Sequence, residues 1–316
     1  MDTIRRLGIE LAISLPKPLK SKMPMNAMAQ PAAPLQTSGW SAALELQFES
    51  RGGRTVLTHN RHEGPLRVQR PFYPECGGQA HVYILHPPGG IVAGDSLAIT
   101  ARFHSGAHAL LTTPSAGRVY RSNTEQLLQS QQVKLHVGDG GFGEWLPQET
   151  ILFDAALARN HTQIELEGSA RFIGWEITCL GRPASGLGFE RGSLDQRLAI
   201  CRDGRLLLLE RSLLDGGSPM LQAAWGLQGF TTLGTLVCAS RDKDLLRDIK
   251  TCCEDLQPST AEPHLRIAAT QLPELVIVRG LADNAAPLRN AFIHCWRVMR
   301  RHLVRQEAVP PRIWFT

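Results

Sequence analysis

Several signatures of catalytic and metal-binding chains are missing from this sequence. It has no G-x-S-x-G, no H-E-x-x-H and no Walker G-K-[ST] motif, which leaves no recognisable serine elbow, zinc-protease helix or phosphate-binding loop. Its seven cysteines include no C-x-x-C pair, so the sequence indicates neither a disulfide framework nor a zinc knuckle. Scattered thiols of this kind fit a reducing compartment, and we expect the protein to be cytoplasmic.

Long apolar runs are missing as well. A membrane-spanning helix needs about 20 consecutive apolar residues, and no stretch of this chain approaches that length. Residues 7–15 follow Arg5 and Arg6 in the manner of a signal peptide, but Glu10 interrupts the run and three lysines follow it within residues 16–22. A signal peptide keeps that stretch uncharged. The sequence therefore predicts no membrane contact and no export signal.

The excess of basic residues is largely confined to the start of the chain. Five basic and two acidic residues lie in residues 1–36, which leaves 29 basic against 27 acidic residues in 37–316. Neutralising several phosphates requires a concentrated basic face, so we do not expect nucleic-acid binding. Residues 1–36 also hold five of the 20 prolines, which favours a disordered extension. We predict a single domain over 37–316, with Met23, Met25 and Met28 as candidate starts nearer to it.

The body of the chain is patterned for β-structure. Apolar and polar residues alternate at 44–48, 133–137 and several other segments, as expected of half-buried strands. Asp203 and Gly204 lie between two such runs and predict a hairpin turn. No fixed-period repeat is present in the sequence, so the pattern by itself indicates neither a propeller nor a regular solenoid. We therefore predict a mainly β fold.

Two segments near the C-terminal end of the sequence are patterned for α-helices. The first follows Ser240, a candidate N-cap, and ends before Pro258. The second is predicted over residues 284–305 and carries an apolar stripe that should pack on the core. The stripe consists of Leu288, Phe292, Cys295, Met299 and Leu303. A row of arginines lies beside it, in which Arg297 and Arg301 are candidates for a partner interface; a solvated basic face is the alternative.

One segment of the sequence matches a motif for nucleotide binding. Residues 138–143 read G-D-G-G-F-G and match G-x-G-x-x-G, but Pro147 falls within the first turns of the helix that a dinucleotide site requires. We interpret the segment as strand–turn–strand and reject a dinucleotide site.

Histidine pairs three and four residues apart also occur, and imidazole suits nickel, copper or zinc. Among eleven histidines such spacings are frequent by chance, so we predict no tight metal site.

Four blocks of the sequence are rich in glycine and polar residues, and no obvious structural requirement explains this composition. They cover residues 86–96, 112–121, 146–154 and 181–192. Glycine allows backbone conformations that are closed to other residues, and an aspartate can hydrogen-bond the local turn. Because buried charges need partners, one interpretation is purely structural, with the arginines of the blocks paired to their carboxylates. The groups concerned are Arg118, Arg121 and Arg182 on one side and Asp95, Glu149 and Asp154 on the other.

In their order along the chain, the blocks resemble the UreD (UreH) family of urease accessory proteins. The resemblance rests on P-P-G-G-[IL]-x-x-G-D at 87–95, T-x-x-[AGS]-x-[KR]-x-Y-R at 113–121, L-P-x-E-x-I-x-F at 146–153 and P-R-x-W at 311–314. It covers residues 37–316, and several separated blocks in the correct order are far more specific than any one of them. The family-motif residues are Gly89, Gly90, Gly94, Ser115, Arg118, Tyr120, Arg121 and Pro147.

The resemblance implies a fold and a function. The family fold is mainly β, a helix-like stack of strands and sheets with a small α-helical part near the C-terminus. Its members are maturation factors rather than enzymes: they bind apo-urease and the accessory protein UreF, and UreF recruits the nickel-carrying GTPase UreG. An internal tunnel is described as the route of nickel towards the urease active site. We therefore expect no catalytic residues and no tightly bound cofactor, with nickel in transit.

A path for an ion in transit should bind that ion weakly, because a tight site would trap it. Dispersed carboxylates, imidazoles and waters meet that requirement. On this basis the metal-path candidates are His86, Asp95, Glu149 and Asp154. The alternative is a metal-independent hydrolase with Asp95, Glu149 or Ser115 as acid–base groups, although the sequence offers no identifiable nucleophile–base pair.

Overall fold

Seventeen β-strands and two α-helices are formed by residues 39–240, 242–257 and 264–315, the part of the chain that the computed structural model describes. The strands are β1 Ser41–Arg51, β2 Arg54–Glu63, β3 Arg67–Val68, β4 Ala80–Leu85, β5 Ser96–Phe103, β6 His108–Thr112, β7 Gly117–Val119, β8 Gln129–Val137, β9 Phe142–Trp145, β10 Thr150–Leu152, β11 Ala156–Leu166, β12 Arg171–Leu180, β13 Gly192–Arg202, β14 Arg205–Asp215, β15 Thr232–Ala239, β16 Leu265–Leu272 and β17 Leu275–Ala282. The helices are α1 Lys243–Leu256 and α2 Ala285–Val304. The predicted N-terminal extension, residues 1–36, lies outside the described residues.

The chain passes repeatedly between two β-sheets. In the first sheet the order is β14-β13-β11-β8-β5-β1-β2, and its five inner strands run parallel. In the second the order is β16-β17-β15-β12-β9-β6-β4-β3, with β4, β6, β9 and β12 parallel. From β4 to β13 the chain therefore winds as a coil in which each turn adds one strand to each sheet. The predicted mainly β fold with a helix-like stack of strands is confirmed.

The positions of the two apolar cores follow from the strand patterns. Leu44, Leu46 and Phe48 of β1 are buried, while the residues between them lie towards solvent. β12 is apolar on both faces, because one face meets the first sheet and the other meets the helices. One core accordingly lies between the sheets, and a second, which includes Trp175 and Phe292, lies beneath the helices.

The segment with the glycine motif is a turn between two strands. It joins β8 to β9, and the N–H of Gly141 donates to the carbonyl of Gly138 at 2.9 Å. Asp139 fastens this turn to the next turn of the coil, since its carboxylate accepts from the N–H of Ser169 at 2.7 Å. The interpretation as strand–turn–strand is confirmed, because a strand follows the motif where a dinucleotide site needs a helix.

Both predicted helices are present and pack on the outer face of the second sheet. α2 begins after Asn284, whose side chain accepts from the N–H two residues further on at 3.1 Å, and its predicted stripe is buried except for the half-buried Leu303. The N-cap of α1 is Asp242 rather than the expected Ser240. The Ser240 hydroxyl instead accepts from the N–H of Asp242 at 3.1 Å, which leaves Asp242 as the last residue before the helix. Neither of these described helices is long and apolar enough to cross a membrane.

The P-R-x-W segment at 311–314 packs against the same sheet. Trp314 Nε1 donates to Thr112 Oγ1 at 2.8 Å, and the Thr112 hydroxyl donates to the carbonyl of Leu146 at 2.6 Å. The Trp314 ring centroid lies 5.8 Å from that of Trp175 on β12 and 5.8 Å from that of Trp296 on α2. This last motif therefore joins the sheet and the helix through a cluster of aromatic rings.

A buried ionic network also connects α2 to the coil. Arg300, with a fully buried side chain, donates to both carboxylate oxygens of Glu75 at 2.8 and 2.6 Å. Its guanidinium lies 3.7 Å from the carboxylate of Glu144 on β9, which is fully buried too. His81 and His108 complete the network, each 2.8 Å from one of the two carboxylates.

Arg300 and the two histidines together keep both carboxylates of this network ionised. Burial alone would raise the pKa of Glu75, but hydrogen bonds from His81 and Arg300 lower it to about 2. Burial likewise opposes the ionisation of Glu144, but the charge of Arg300 and the hydrogen bonds from His108 and Trp296 together outweigh that effect, so the pKa of Glu144 is lowered as well. Removal of the guanidinium would leave two buried carboxylates without their arginine partner.

We therefore expect Arg300→Ala to lower the free energy of unfolding by about 3–5 kcal/mol. Urea and thermal unfolding of the purified chain measure the change. The matched control is Arg301→Ala, at the next position of α2, where the side chain is 55% exposed and a change within about 0.5 kcal/mol is expected. Equal losses in the two variants would contradict the assignment of the network as a stabilising element.

Candidate functional site

The four glycine-rich blocks occupy the same corner of successive coil turns. The blocks lie in the connections from β4 to β5, from β6 to β8, from β9 to β11 and from β12 to β13. Within these connections β7 pairs in parallel with β10, and β10 pairs with the end of β12. This pairing stacks a column of buried aliphatic side chains, Ile91, Val119, Leu152 and Leu180. Blocks that are far apart in sequence thus form one surface, which we call the corner.

Asp95 caps the first turn of the corner. Its buried carboxylate accepts from the N–H of Trp40 at 2.8 Å and from that of Val92 at 3.0 Å. His86 lies near it: burial lowers the pKa of His86, and the charge of Asp95 opposes part of that shift. A histidine with a lowered pKa is neutral at pH 7 and keeps the lone pair that a metal ion coordinates.

The other two metal-path candidates are engaged in ion pairs. Glu149 accepts from Arg289 of α2 at 2.7 Å. Asp154 accepts from the guanidinium of Arg191 at 2.5 and 3.1 Å, and from the N–H of Glu190 at 3.0 Å. Burial would raise the pKa of Asp154, but the hydrogen bonds from Arg191 lower it. All four candidates thus lie on the corner; Glu149 connects it to α2, and Asp154 connects its third block to its fourth.

The expected pairing of the block arginines with these carboxylates is wrong. Arg118 donates to the carbonyl of Gly89 at 3.3 Å, and the guanidinium of Arg182 lies 4.5 Å from the ring centroid of Phe153. Both side chains are exposed, as is that of Arg121. An exposed guanidinium stays hydrated, so the need of a buried charge for a partner does not apply to it.

A cavity of about 70 Å³ lies between the two sheets beside the corner. This volume has room for a few water molecules. Pro147 and Gln148 of the third block border it, together with Gly117 of the second. Polar residues of the two sheets also line it, namely Gln131, Asn160, His161, Thr162, Glu176, Thr178 and Gln196. The corner therefore borders a polar region within an otherwise apolar core.

Glu176 of β12 supplies the carboxylate of this cavity. Its oxygens accept hydrogen bonds from the Thr162 hydroxyl and from Nε2 of Gln196, the latter at 2.7 Å. Both donors are neutral. Burial raises the pKa of Glu176, and the charge of Glu210 adds to that shift. Within the described part of the chain, no cationic side chain forms a salt bridge with this carboxylate, so its negative charge is uncompensated when it ionises.

A ladder of amides accompanies Glu176. Gln131, Asn160 and Gln196 occupy matching register positions on β8, β11 and β13, and Gln196 Oε1 accepts from the Thr178 hydroxyl at 3.1 Å. Carboxylate, amide and hydroxyl oxygens are ligand types that divalent cations accept. In the ranges that the structure describes, no three His, Cys, Asp or Glu side chains are placed to hold a metal ion together. The cavity thus offers one charged and several neutral ligand atoms.

Some of the predicted site residues line this cavity and others do not. Pro147 lines it, and its carbonyl accepts from Trp175 Nε1 at 2.7 Å. The four metal-path candidates lie on the corner and outside the described lining, and Ser115 is exposed. Sequence analysis missed Glu176. Its signal was a single carboxylate within the apolar run RFIGWEITCL of β12.

The fold and the site together define a class of protein, a parallel two-sheet coil with a polar cavity beside one corner and a helical layer on one sheet. Comparison with known families assigns this class. The family model of the UreD urease accessory protein matches residues 41–315. The chain therefore belongs to the UreD family of urease accessory proteins, which confirms the resemblance and supports a role in urease maturation.

Curated relatives of similar length have the same family name. The chain is 42% identical over 283 residues to the urease accessory protein UreD of Hahella chejuensis, covering 88% of this chain and 91% of the relative. It is 43% identical to the UreD proteins of Dechloromonas aromatica, over 90% of this chain and 97% of the relative, and of Alkalilimnicola ehrlichii, over 91% and 95%. The similarity therefore extends along nearly the whole length of these proteins.

Gly90 gives a direct test of how tightly the corner is packed. A Cβ atom at this position would lie 2.3 Å from the ring of Tyr120, and that ring is held edge-on against Phe153 at 5.0 Å. We expect Gly90→Ala to lower the free energy of unfolding by about 1–3 kcal/mol through overpacking. In the matched control Gly117→Ala, the nearest atom to the new Cβ is Thr150 Oγ1 at 3.7 Å, so urea unfolding should shift by about 0.5 kcal/mol or less. A comparable loss in both variants would refute this packing role.

Proposed function

We propose that this chain is a non-catalytic maturation factor that binds apo-urease and UreF and helps nickel pass from UreG to the urease active site. Family membership supports the link to urease. The observation that carries the nickel-transfer step is the carboxylate of Glu176 beside the interior cavity, with hydrogen bonds from neutral groups alone. Nickel is the cargo in this proposal and not a resident cofactor.

The cavity has the properties that a transfer site needs. An ionised carboxylate without a cationic partner in a region of low dielectric attracts a cation, because its own charge is otherwise costly there. Most of the remaining polar groups that line it are amides and hydroxyls, which are weak ligands for a divalent ion compared with thiolate or imidazole. The imidazole of the lining residue His161 lies 3.6 Å from the carboxylate of Asp195. A cation is therefore drawn in and held loosely, which allows it to leave.

Not every interior carboxylate of the fold shares this property. Glu144 is fully buried as well, but it lies 3.7 Å from the Arg300 guanidinium and 2.8 Å from His108. A carboxylate that is already neutralised by arginine gains little from a second cation. This contrast favours Glu176 as the site through which nickel passes.

The corner residues have a supporting part in the proposal. His86, Asp95, Glu149 and Asp154 would line or hold the approach to the cavity, since they lie on the same stacked surface as Pro147 and Gln148. Asp95 and Glu149, the acid–base pair of the hydrolase alternative, are occupied by two backbone N–H groups and by an arginine, respectively. Those contacts give the hydrolase alternative no support.

The partner interface proposed on α2 is accessible in part. Arg301 is 55% exposed and lies 3.9 Å from Glu307, while Arg297 is half-buried. Both lie on the side of the helix away from its buried stripe. We propose that this side contacts UreF or apo-urease, with UreG joining through UreF.

Co-expression with the urease subunits, UreF and UreG tests the proposed function. Omission of this chain should leave urease assembled but without nickel, as measured by metal analysis of the purified enzyme. The same complexes, recovered by affinity purification, should contain this chain together with UreF. Full nickel loading in its absence would overturn the proposal.

Glu176→Gln should lower the nickel content of urease by about tenfold, while the complexes still form. Glu165→Gln, on the outer face of β11, is the matched control, and urease matured with this variant should contain the normal amount of nickel.

The stability of the chain should also depend on Glu176. Because the folded-state pKa of Glu176 is raised, its ionisation costs stability as the pH rises above the ordinary value of 4.5. The glutamine variant lacks that loss, so at pH 8 it should resist urea at least as well as the native chain. Normal nickel loading in Glu176→Gln would exclude this residue from the path.

A further inference from the structure

A second surface with an unusual charge pattern lies on the outer face of the first sheet. Asp195 of β13 lies beside Arg159 of β11. Two residues further along β13, Arg197 lies opposite Arg211 of β14. Side chains at matching register positions project from the same face of a sheet. We call this surface the arginine face, and it consists of Arg159, Asp195, Arg197 and Arg211 with the flanking Leu209 and Leu213.

On the arginine face, three guanidinium groups lie around a single carboxylate, that of Asp195. Arg211 donates to Asp195 at 2.9 and 3.1 Å, whereas the nearest nitrogens of Arg197 and Arg159 stay 3.5 and 3.8 Å away from its oxygens. The Nε atoms of Arg159 and Arg197 are buried and find no hydrogen-bond acceptor among the described residues, and the same holds for Nε2 of the adjacent His161. Donors therefore exceed acceptors on this surface.

The positive charge is also in excess. Burial lowers the pKa of His161, and the charges of Arg197 and Arg159 add to this effect against that of Asp195, so we count His161 as neutral. Three guanidinium groups then face a single carboxylate. Like charges at directly opposed positions, such as Arg197 and Arg211, destabilise a sheet. A further anion above the surface would remove this repulsion.

The surface is accessible and partly apolar. The side chains of Arg159, Arg197 and Arg211 are 39%, 42% and 45% exposed. Leu209 and Leu213, on either side of Arg211, are each 54% exposed. They lie on β14, the terminal strand of the sheet. A terminal strand can accept an extended segment by main-chain pairing, while its side chains set the preference for a partner.

We propose that the arginine face binds an extended segment of a partner protein that carries acidic and apolar side chains. The carboxylates of that segment would pair with the partly exposed guanidinium groups of Arg159 and Arg197, and its apolar side chains would cover Leu209 and Leu213. The inference rests on the proposed function, because it requires that this chain assemble with protein partners. It adds a docking surface on the opposite sheet from α2.

The charge pattern disfavours other occupants. A second copy of the chain, related by a two-fold axis, would place its own arginines against Arg197 and Arg211, which repels. Residues 1–36 carry five basic and two acidic side chains, so they do not complement this surface. A nucleic acid would satisfy the arginines, but it would leave the leucines uncovered and would meet the repulsion of Asp195.

The test uses the chain in its complexes with apo-urease and the accessory proteins. Two double variants are compared: Arg159→Gln with Arg197→Gln, which keeps the Asp195–Arg211 pair, and Leu209→Ser with Leu213→Ser. Arg61→Gln on β2, the opposite terminal strand of the same sheet, is the matched control. We expect each double variant to weaken binding of one partner about tenfold, and the arginine variant to reduce the salt dependence of that binding. The control should bind as the native chain does.

Hydrogen exchange of the native complex should in addition show protection of the β14 amides. If the native chain forms complexes but both double variants bind every partner normally, this inference is wrong and the proposed function stands. If the native chain forms no complex, both fail. Loss of binding to a DNA duplex in the arginine variant, with protein complexes unchanged, would assign the surface to nucleic acid and overturn the proposal.

Discussion

The in-register parallel stacking of successive coil turns is the constraint on which the rest of this structure depends. Because each turn places its strands at matching positions of the turn before it, equivalent connections must meet at the same edge. The corner exists for that reason, and so does the aliphatic column from Ile91 to Leu180. The polar cavity has the same origin, since register brings Gln131, Asn160 and Gln196 into one row.

Much of the fold could be predicted from the sequence, because period-two alternation and helix caps are local signals. Three of the family motifs lie in segments of the corner, since tight turns demand glycine and aspartate at fixed positions, but that these segments meet was not predicted. Glu176 could not be predicted in the same way. Whether a lone carboxylate in an apolar strand is paired or free depends on which strands face it, and that is decided by long-range register. The true partners of Glu149 and Asp154 were missed for this reason, as Arg289 lies 140 residues away from Glu149.

Two kinds of interior carboxylate coexist in this fold. Glu75 and Glu144 are compensated by Arg300 and contribute to the attachment of α2. Glu176 has neutral partners and a raised pKa, so the fold tolerates a destabilising group there. A protein retains such a cost where a function requires it. Both kinds of carboxylate are buried, so burial does not distinguish them. They differ in whether the neighbouring side chain carries a positive charge.

The ion pair between Arg289 and Glu149 has a consequence that concerns thermodynamic linkage. It connects α2, whose other face is accessible to partners, with the corner that borders the cavity. Under the proposed function, a macromolecule that binds one position of α2 more tightly than another would alter the affinity of the cavity for nickel through this ion pair. By reciprocity nickel would alter the affinity for that macromolecule by the same factor. Under that proposal, loading and release of nickel would be coupled to assembly without any residue that contacts both the ion and the macromolecule.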